Sequence, residues 1–315
     1  MTHLTRRTLI KGTSAGVALA AIGGSSAAFA QDDKPTVKVG STNYTEQFIL
    51  AEMLSLLLED NGFPVETEHN LGGTFVIHEA RNNGDIDAHV EYTGSALTIL
   101  EMNVSDVREE DSSPQEVVDL VYDVVKEEYE KQFEAIWLDP IGINNTYALA
   151  MRRADAEELG IVTISDLKDH AADLVLGGSQ EFLVREDGLP GIEELYGLDF
   201  KDAKGMESGL MYAALDNGDV DVISAFATDG RIPAMDFVLL EDDLGFFPPY
   251  YASPVVRADL FEKAPEAKDI LNKLSGQLDN TTMANLNFRV DDGGEEFRDV
   301  ARDFLTEKGL IAAGN

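Results

Sequence analysis

The chain has 315 residues and carries 59 acidic against 24 basic residues, which gives a formal net charge of −35. Nucleic acids and anionic membrane surfaces bind clusters of basic residues, so this balance excludes both as partners. The chain has no cysteine, which excludes disulfides, thiolate catalysis and a lipid-modified cysteine. Like charges at this density repel one another unless salt screens them, so the composition predicts a halophilic source.

Residues 1–30 form a predicted export signal. Arg6 and Arg7 precede an apolar run at Val17–Ile22, and a small-residue cleavage site follows at Ala28–Ala30. The paired arginines predict the twin-arginine type, which exports folded proteins, with an ordinary secretory signal as the alternative. We expect a mature chain that begins near Gln31 and works in the periplasm or outside the cell. We expect neither membrane insertion nor a lipid anchor.

After the signal, short β-rich runs alternate with helical stretches, which is typical of α/β architecture. The hydrophobic share of 44%, arranged in periodic segments, argues against disorder as the meaning of the high charge. The predicted strands are Thr36–Gly40, Val65–Glu68, Ile86–Val90, Tyr147–Met151, Val220–Ala225 and Phe237–Leu240. The predicted helices are Glu46–Leu58, Thr74–Asn82, Pro114–Phe133, Gly209–Leu215 and Glu295–Lys308.

One sequence pattern occurs twice. Asn-Gly-Asp-Ile/Val-Asp follows a predicted helix at 83–87 and again at 217–221, and Gly84 and Gly218 suit the left-handed end of a helix. An aromatic residue, Tyr92 or Phe226, stands eight residues after each glycine. The repeat predicts two similar α/β lobes, each with a ring at the carboxyl end of a strand, where open sheets bind ligands. A common helix-to-strand turn that arose twice is the alternative.

The repeat divides the mature chain into two lobes. We predict that lobe 1 comprises residues 31–142 and 249–315, and that lobe 2 comprises residues 143–248. The chain should cross between them near Asp139–Asn144 and return near Leu244–Pro249. The return segment Gly245–Tyr251 contains two prolines and four aromatic residues, so it should be stiff and should bury large side chains.

Motifs for catalysis and cofactor binding are missing from the mature sequence. It has no nucleophile elbow, no Walker A loop and no dinucleotide-binding glycine pattern. Asp87 and His89 would face the same side of a strand and offer two metal ligands, but a polar pair on a solvated face is the simpler interpretation. We therefore predict no catalytic residue, no metal and no cofactor.

Aromatic residues stand where the two lobes should meet. Such rings bind a quaternary ammonium group through cation–π contact, and this group has no N–H for hydrogen-bonding residues. Packing at the lobe edges is the alternative for any one of them. The predicted set is Tyr44, Tyr92, Tyr147, Phe226, Tyr250 and Tyr251.

A carboxylate on the ligand would require hydrogen-bond donors. The N-terminus of the helix after Ser41–Thr45 offers backbone N–H groups. Thr93 and Ser95 offer hydroxyls, and Arg185 offers a bidentate guanidinium, although a lone arginine is often a surface charge.

Six stretches of the mature chain, in order, resemble the substrate-binding proteins of osmoprotectant ABC importers, the glycine betaine/choline/carnitine group. Each is weakly specific alone, but together they span nearly all of the mature chain. The stretches are Gly40–Gln47, Glu91–Leu97, Gly142–Leu149, Glu181–Gly188, Ala225–Ile232 and Phe246–Tyr251.

The resemblance implies a type II periplasmic-binding-protein fold, with two α/β lobes, two crossings and a central cleft. It implies that the ligand's cation lies in a box of aromatic rings at Tyr92, Tyr147, Phe226 and one of Tyr250 and Tyr251. It also implies delivery to a membrane permease coupled to an ATPase. We predict a monomeric binding protein whose polar contacts come from Thr42, Thr93, Ser95, Asn145 and Arg185.

The sequence departs from the family pattern at three positions. Thr42 stands where the family often has a lysine that can bind a ligand carboxylate. Phe226 and Leu189 stand where it often has tyrosine. The missing lysine keeps choline beside glycine betaine as a candidate ligand, unless Arg185 replaces it. A sensor module that reports osmolytes and an exported enzyme acting on choline or betaine are the other classes considered.

Overall fold

The computed structural model describes residues 34–109, 112–185 and 188–312. The predicted export signal lies outside these residues. Within them, no helix combines the length and apolarity needed to span a membrane. The strands of the described ranges are β1 (Val37–Gly40), β2 (Val65–Glu68), β3 (Ala88–Tyr92), β4 (Ala135–Trp137), β5 (Tyr147–Arg152), β6 (Val175–Gly178), β7 (Asp202–Gly205), β8 (Val222–Phe226), β9 (Phe237–Leu239) and β10 (Ala252–Arg257).

Helices follow most of these strands. Short 3₁₀ helices also occur at Ser165–Asp169, Ala171–Asp173 and Asn272–Leu274. The α-helices of the described ranges are α1 (Thr45–Asp60), α2 (Thr74–Asn83), α3 (Thr93–Ile99), α4 (Val104–Val107), α5 (Pro114–Phe133), α6 (Arg153–Leu159), α7 (Gln180–Val184), α8 (Leu189–Tyr196), α9 (Ser208–Asp216), α10 (Arg231–Ala234), α11 (Ala258–Lys263), α12 (Glu266–Leu271), α13 (Asn280–Asp291) and α14 (Phe297–Glu307).

The strands form two sheets with the same plan. The first has the order β2-β1-β3-β10-β4 and the second has the order β7-β6-β8-β5-β9. In each sheet, four strands run in one direction, and the fourth strand in that order, β10 or β5, runs antiparallel to both of its neighbours. Both faces of each sheet carry an apolar core. These sheets confirm the predicted α/β class.

The repeated turn has the same structure in both copies. Gly84 and Gly218 adopt φ values of 79° and 78°, the left-handed conformation that suits glycine. The carboxylates of Asp87 and Asp221 each accept a backbone N–H from the neighbouring strand, at 2.8 and 2.9 Å. Because these two side chains end the turn, β3 and β8 begin two residues later than predicted.

The chain passes between the sheets twice, from β4 to β5 and from β9 to β10. The two crossings are joined by an isolated antiparallel bridge between Asn144 and Tyr251. The Asn144 side chain also accepts the backbone N–H of Tyr250 at 2.7 Å, and its carbonyl accepts the amide of Asn280 at 3.0 Å. The lobe boundaries at residues 142 and 248 stay a prediction.

Candidate ligand-binding site

A cavity of about 540 Å³ lies between the two sheets. Its walls come from the N-terminus of α1, the end of β3, the first crossing, the segment after β8, the second crossing and α13. Cavities of this size hold small molecules, and strand ends that face a crevice are the usual ligand position in open α/β sheets.

Four of the six predicted aromatic residues line this cavity: Tyr44, Tyr92, Phe226 and Tyr250. Tyr92 and Phe226 are the last residues of β3 and β8, as the sequence repeat predicted. As residues, Tyr44 and Phe226 are 40% and 45% exposed, so each leaves part of its surface accessible to a ligand. Tyr250 lies against Gly94, where an added Cβ would be 2.5 Å from its ring, so only glycine admits this packing.

The other two predicted rings lie elsewhere. Tyr147 stands behind the cavity wall, stacked on Phe226 with ring centroids 4.7 Å apart and planes inclined by 27°. Its ring is also 5.7 Å from that of Phe182. Tyr251 lines a separate cavity of about 220 Å³. Tyr147 therefore supports the ring of Phe226 from behind, and Tyr251 faces away from the larger cavity.

Among the predicted polar residues, Ser95 and Asn145 line the cavity. Thr93 is buried and forms two hydrogen bonds with the second crossing. Its hydroxyl donates to the Pro249 carbonyl at 2.9 Å and accepts the Tyr251 N–H at 3.1 Å. Thr42 is buried just before α1 and is not part of the cavity wall. Its hydroxyl has no hydrogen-bond partner within the described ranges.

Arg185 is exposed and directly follows α7. It is not among the described residues that line the cavity, so its predicted contact with a ligand carboxylate stays a prediction.

Glu46, on the first turn of α1, is a cavity residue that the sequence did not reveal. It is 2% exposed, and its carboxylate accepts hydrogen bonds from the Tyr92 hydroxyl at 2.5 Å, Asn145 Nδ2 at 3.0 Å and Asn287 Nδ2 at 3.2 Å. Burial raises the pKa of Glu46, and hydrogen bonds from Thr228 and these residues act in the opposite direction. Burial and the Glu46 charge raise the pKa of Tyr92, so its phenol stays protonated and can donate.

Contacts at one edge of the cavity join the two sheets. Asn287, on α13, donates to the Thr228 carbonyl at 2.9 Å as well as to Glu46. Gly230 follows two residues later and packs directly on the α13 backbone. A Cβ at this position would lie 2.6 Å from the Phe288 nitrogen and 2.7 Å from the Ala284 oxygen. The segment after β8 therefore seats against α13 only because residue 230 has no side chain.

Two further carboxylates line the cavity. Asp229 accepts Arg231 Nε at 2.9 Å, and the Arg231 guanidinium lies 3.8 Å from the centroid of the Tyr212 ring. Burial acts to raise the pKa of Asp229, but the hydrogen bonds from Arg231 outweigh it and hold that pKa below its usual range. Asp291 accepts the Thr45 hydroxyl at 2.5 Å. No group of three or more acidic or histidine side chains in the described residues is arranged to hold a metal ion.

Comparisons with known proteins agree over most of the chain. A family model described as the substrate binding domain of ABC-type glycine betaine transport system matches residues 35–307. The chain is 36% identical over 280 residues to the ergothioneine transport permease/ergothioneine binding protein of Helicobacter pylori, which covers 89% of this chain and 48% of that protein. It is 35% identical over 301 residues to the carnitine transport binding protein of Listeria monocytogenes, which covers 94% of this chain and 92% of that protein.

A solved structure is similar as well. The crystal structure of a glycine betaine/carnitine/choline ABC transporter superposes with a TM-score of 0.79 at 34% identity, covering 88% of this chain and all of the other. This similarity confirms the predicted two-lobed α/β fold. The chain spans about half the length of the Helicobacter protein and nearly the whole of the Listeria protein.

Proposed function

Because the chain belongs to the family of substrate-binding domains of ABC-type glycine betaine transport systems, we propose that it captures a quaternary-ammonium osmoprotectant, glycine betaine or choline. The family-model match over residues 35–307 confirms the family resemblance found in the sequence. The relatives are transport binding proteins, so this protein is a binding protein and not an enzyme. Its partners are a permease of the ABC type and the ATPase that drives it.

The observation that supports a quaternary-ammonium ligand is the aromatic wall of the cavity. The rings of Tyr44, Tyr92, Phe226 and Tyr250 surround a space of about 540 Å³. Each well-placed ring contributes about 2 kcal/mol or more to binding a desolvated cation. The relatives are named for ergothioneine and carnitine, and the similar solved structure is named for glycine betaine, carnitine and choline. All of these compounds carry a trimethylammonium group, which is the group that aromatic rings bind.

Ligand capture in this proposal couples to movement of the two lobes. The sheets are joined by two crossings, so one lobe can rotate toward the other about them. A ligand that contacts β3 on one side and β8 on the other stabilises the closed form, because only that form offers both walls. The permease then accepts the closed, loaded protein.

The remaining parts of the proposal concern the cellular setting. A twin-arginine signal would export the folded chain to the periplasmic or extracellular side. There it would work as a monomer, without a lipid anchor, in a halophilic source whose salt screens its large negative charge.

Calorimetric titration in about 1 M salt tests the ligand class. The panel is choline, glycine betaine, carnitine and, as a ligand without a quaternary ammonium, proline. We expect tight binding of at least one trimethylammonium compound and none of proline. Phe226→Ala and Tyr92→Ala should each weaken binding by more than about 1 kcal/mol, whereas Phe226→Tyr, which keeps the ring, should retain it. Wild-type affinity in both alanine variants, with the fold intact, would contradict the role of these rings in ligand binding.

A further inference from the structure

Two exposed apolar side chains occupy the same position of the repeated pattern. Val76 lies eight residues before Gly84, and Leu210 lies eight residues before Gly218. Each is the third residue of the helix that leads into the repeated turn, α2 or α9. Val76 and Leu210 are 53% and 61% exposed, and Phe75, beside Val76, is 62% exposed. The two lobes therefore present apolar surface at equivalent positions, and we call Phe75, Val76 and Leu210 the rim residues.

The rim residues lie on the side of each sheet that is remote from the crossings. The helices α2 and α9 follow β2 and β7, which are the first strands in the two sheet orders. The crossings enter and leave through the last two strands of those orders. Thr74, which directly precedes Phe75, lines the ligand cavity. The rim residues of α2 thus border the opening of the cavity, and the repeat puts Leu210 at the corresponding place on the other lobe.

The contacts between the lobes leave the rim residues uncovered. The two lobes touch where Asn287 donates to the Thr228 carbonyl and where Gly230 packs on α13. All three rim residues are nevertheless more than half exposed. Single exposed apolar side chains are common on protein surfaces, but a set that recurs at equivalent positions beside a cavity is typical of a surface that binds another protein.

The surroundings of the rim residues are acidic. Glu79 on α2 and Glu207, the N-cap of α9, are both exposed. A partner with basic side chains around apolar pockets would match this surface in charge and in polarity. The composition predicts high salt, and at 1 M the Debye length is about 3 Å, so charges attract one another only at contact. Salt does not screen apolar burial, so the rim residues should supply most of the affinity for the partner.

The path of the ligand selects the partner. A ligand that leaves the cavity is lost to solvent unless the receiving protein covers the opening and touches both sides of it. A second copy of this chain on the same surface would bury the rim residues but would block the opening. A protein that takes the ligand onward requires the geometry that the rim residues provide, with one apolar contact on each lobe.

From this placement we propose that the rim residues dock the protein on the outer face of its ABC permease. Phe75 and Val76 would bind on one side of the ligand's entrance and Leu210 on the other. The proposal rests on the proposed function, because it locates the contact with the permease named there. Two linked contacts strengthen binding only when both engage at once. Movement of the lobes changes the distance between α2 and α9, so docking should depend on the closed, loaded form.

The test uses the permease–ATPase complex of the same source, reconstituted in proteoliposomes. The binding protein is saturated with the trimethylammonium compound that it binds most tightly. The measurement is the concentration of binding protein that gives half-maximal stimulation of ATP hydrolysis. The double variant Phe75→Ser/Val76→Ser and the single variant Leu210→Ser should each raise this concentration by about tenfold or more, because loss of either contact removes the gain from linking the two.

Val162→Ser is the matched control. Val162 is 65% exposed and lies beside β9, at the opposite edge of the second sheet from β7. This variant should leave the half-maximal concentration unchanged. Calorimetry separates docking from ligand capture, since all of these variants should bind the ligand within about twofold of wild type. Thermal unfolding checks that each variant is folded.

Unchanged half-maximal concentrations in the folded rim variants would overturn the proposal, as would an equal rise in Val162→Ser. A wild-type dimer in sedimentation that Leu210→Ser converts to monomer would overturn it too, because the surface would then serve a second copy. Ligand binding without any stimulation by wild-type protein would overturn the docking proposal and leave the ligand class standing. Absence of ligand binding in calorimetry would contradict the proposed function itself, and the docking proposal with it.

Discussion

Replacing Gly230 by alanine should weaken ligand binding without unfolding the protein. Gly230 has a φ of −62°, so the residue is not required for its backbone conformation. What requires glycine is the close approach to α13, where an added Cβ would lie 2.6 Å from a backbone nitrogen and 2.7 Å from a backbone oxygen. Neither backbone atom can turn aside as a flexible side chain can.

The magnitude follows from the distance. Restoring an ordinary contact of 3.4 Å requires a separation of about 0.8 Å between the segment after β8 and α13. Overpacking of this kind costs about 1–3 kcal/mol. If the seated arrangement belongs to the closed form, the cost appears in the closing equilibrium, and ligand affinity should fall by roughly 5- to 150-fold.

The assay is calorimetric titration of Gly230→Ala beside wild-type protein, together with thermal unfolding of both. Gly73→Ala is the matched control, because Gly73 also stands at the N-cap of a helix, has a φ of −82° and has no heavy atom within 4 Å of the added Cβ. Wild-type affinity in Gly230→Ala would refute the reasoning, since the contact would then play no part in closure. A large loss of thermal stability with normal affinity would refute it too.

Three further predictions concern other parts of the molecule. Gly94→Ala should displace the Tyr250 ring and weaken ligand binding at least fivefold, about 1 kcal/mol, by titration; unchanged affinity would exclude that ring from the site. Asp87→Ala should lower the free energy of unfolding by about 1–3 kcal/mol in denaturant, because the backbone N–H of Lys38 loses its acceptor; a wild-type value would contradict this. Burial lowers the pKa of His78 from 6.5 to about 4, so the unfolded chain binds more protons between these values and stability falls as the pH drops through that window. His78→Gln should therefore lose less stability than wild-type protein between about pH 7 and pH 4.5, and an equal loss would contradict the assignment.

Local signals in the sequence were sufficient for several elements. The helix predicted at Pro114–Phe133 has those bounds in the structure because Ser113 caps it, forms a reciprocal capping box with Glu116 and precedes a proline at the first helical position. The repeated Asn-Gly-Asp turn likewise combines a left-handed glycine with a capping carboxylate. In both cases the residues that determine the conformation are neighbours in the chain.

Other features depend on contacts that no local pattern records. The strand β10 was not predicted. It contains Pro254, and prolines are rare in the middle of a sheet. It nevertheless lies between β3 and β4, and the Pro254 carbonyl accepts the Leu138 N–H at 2.9 Å. This pairing joins segments that are far apart in the sequence and becomes visible only in the fold.

The site was predicted in part for a similar reason. Tyr250 and Tyr251 are successive residues of an extended segment, so they face opposite sides, and the sequence alone did not show which one lines the cavity. Glu46 was missed because acidic residues are common throughout this chain. The sequence alone does not distinguish a buried glutamate from a solvent-exposed one. Only the packing of α1, α13 and the first crossing around Glu46 distinguishes it.

A crystal structure of the protein with the trimethylammonium compound that binds most tightly in the titration tests the central claim most directly. The account predicts that the trimethylammonium group lies in the cavity between the sheets, within about 6 Å of the ring centroids of Tyr92, Phe226 and Tyr250. A ligand bound elsewhere on the protein, with this cavity empty, would contradict it.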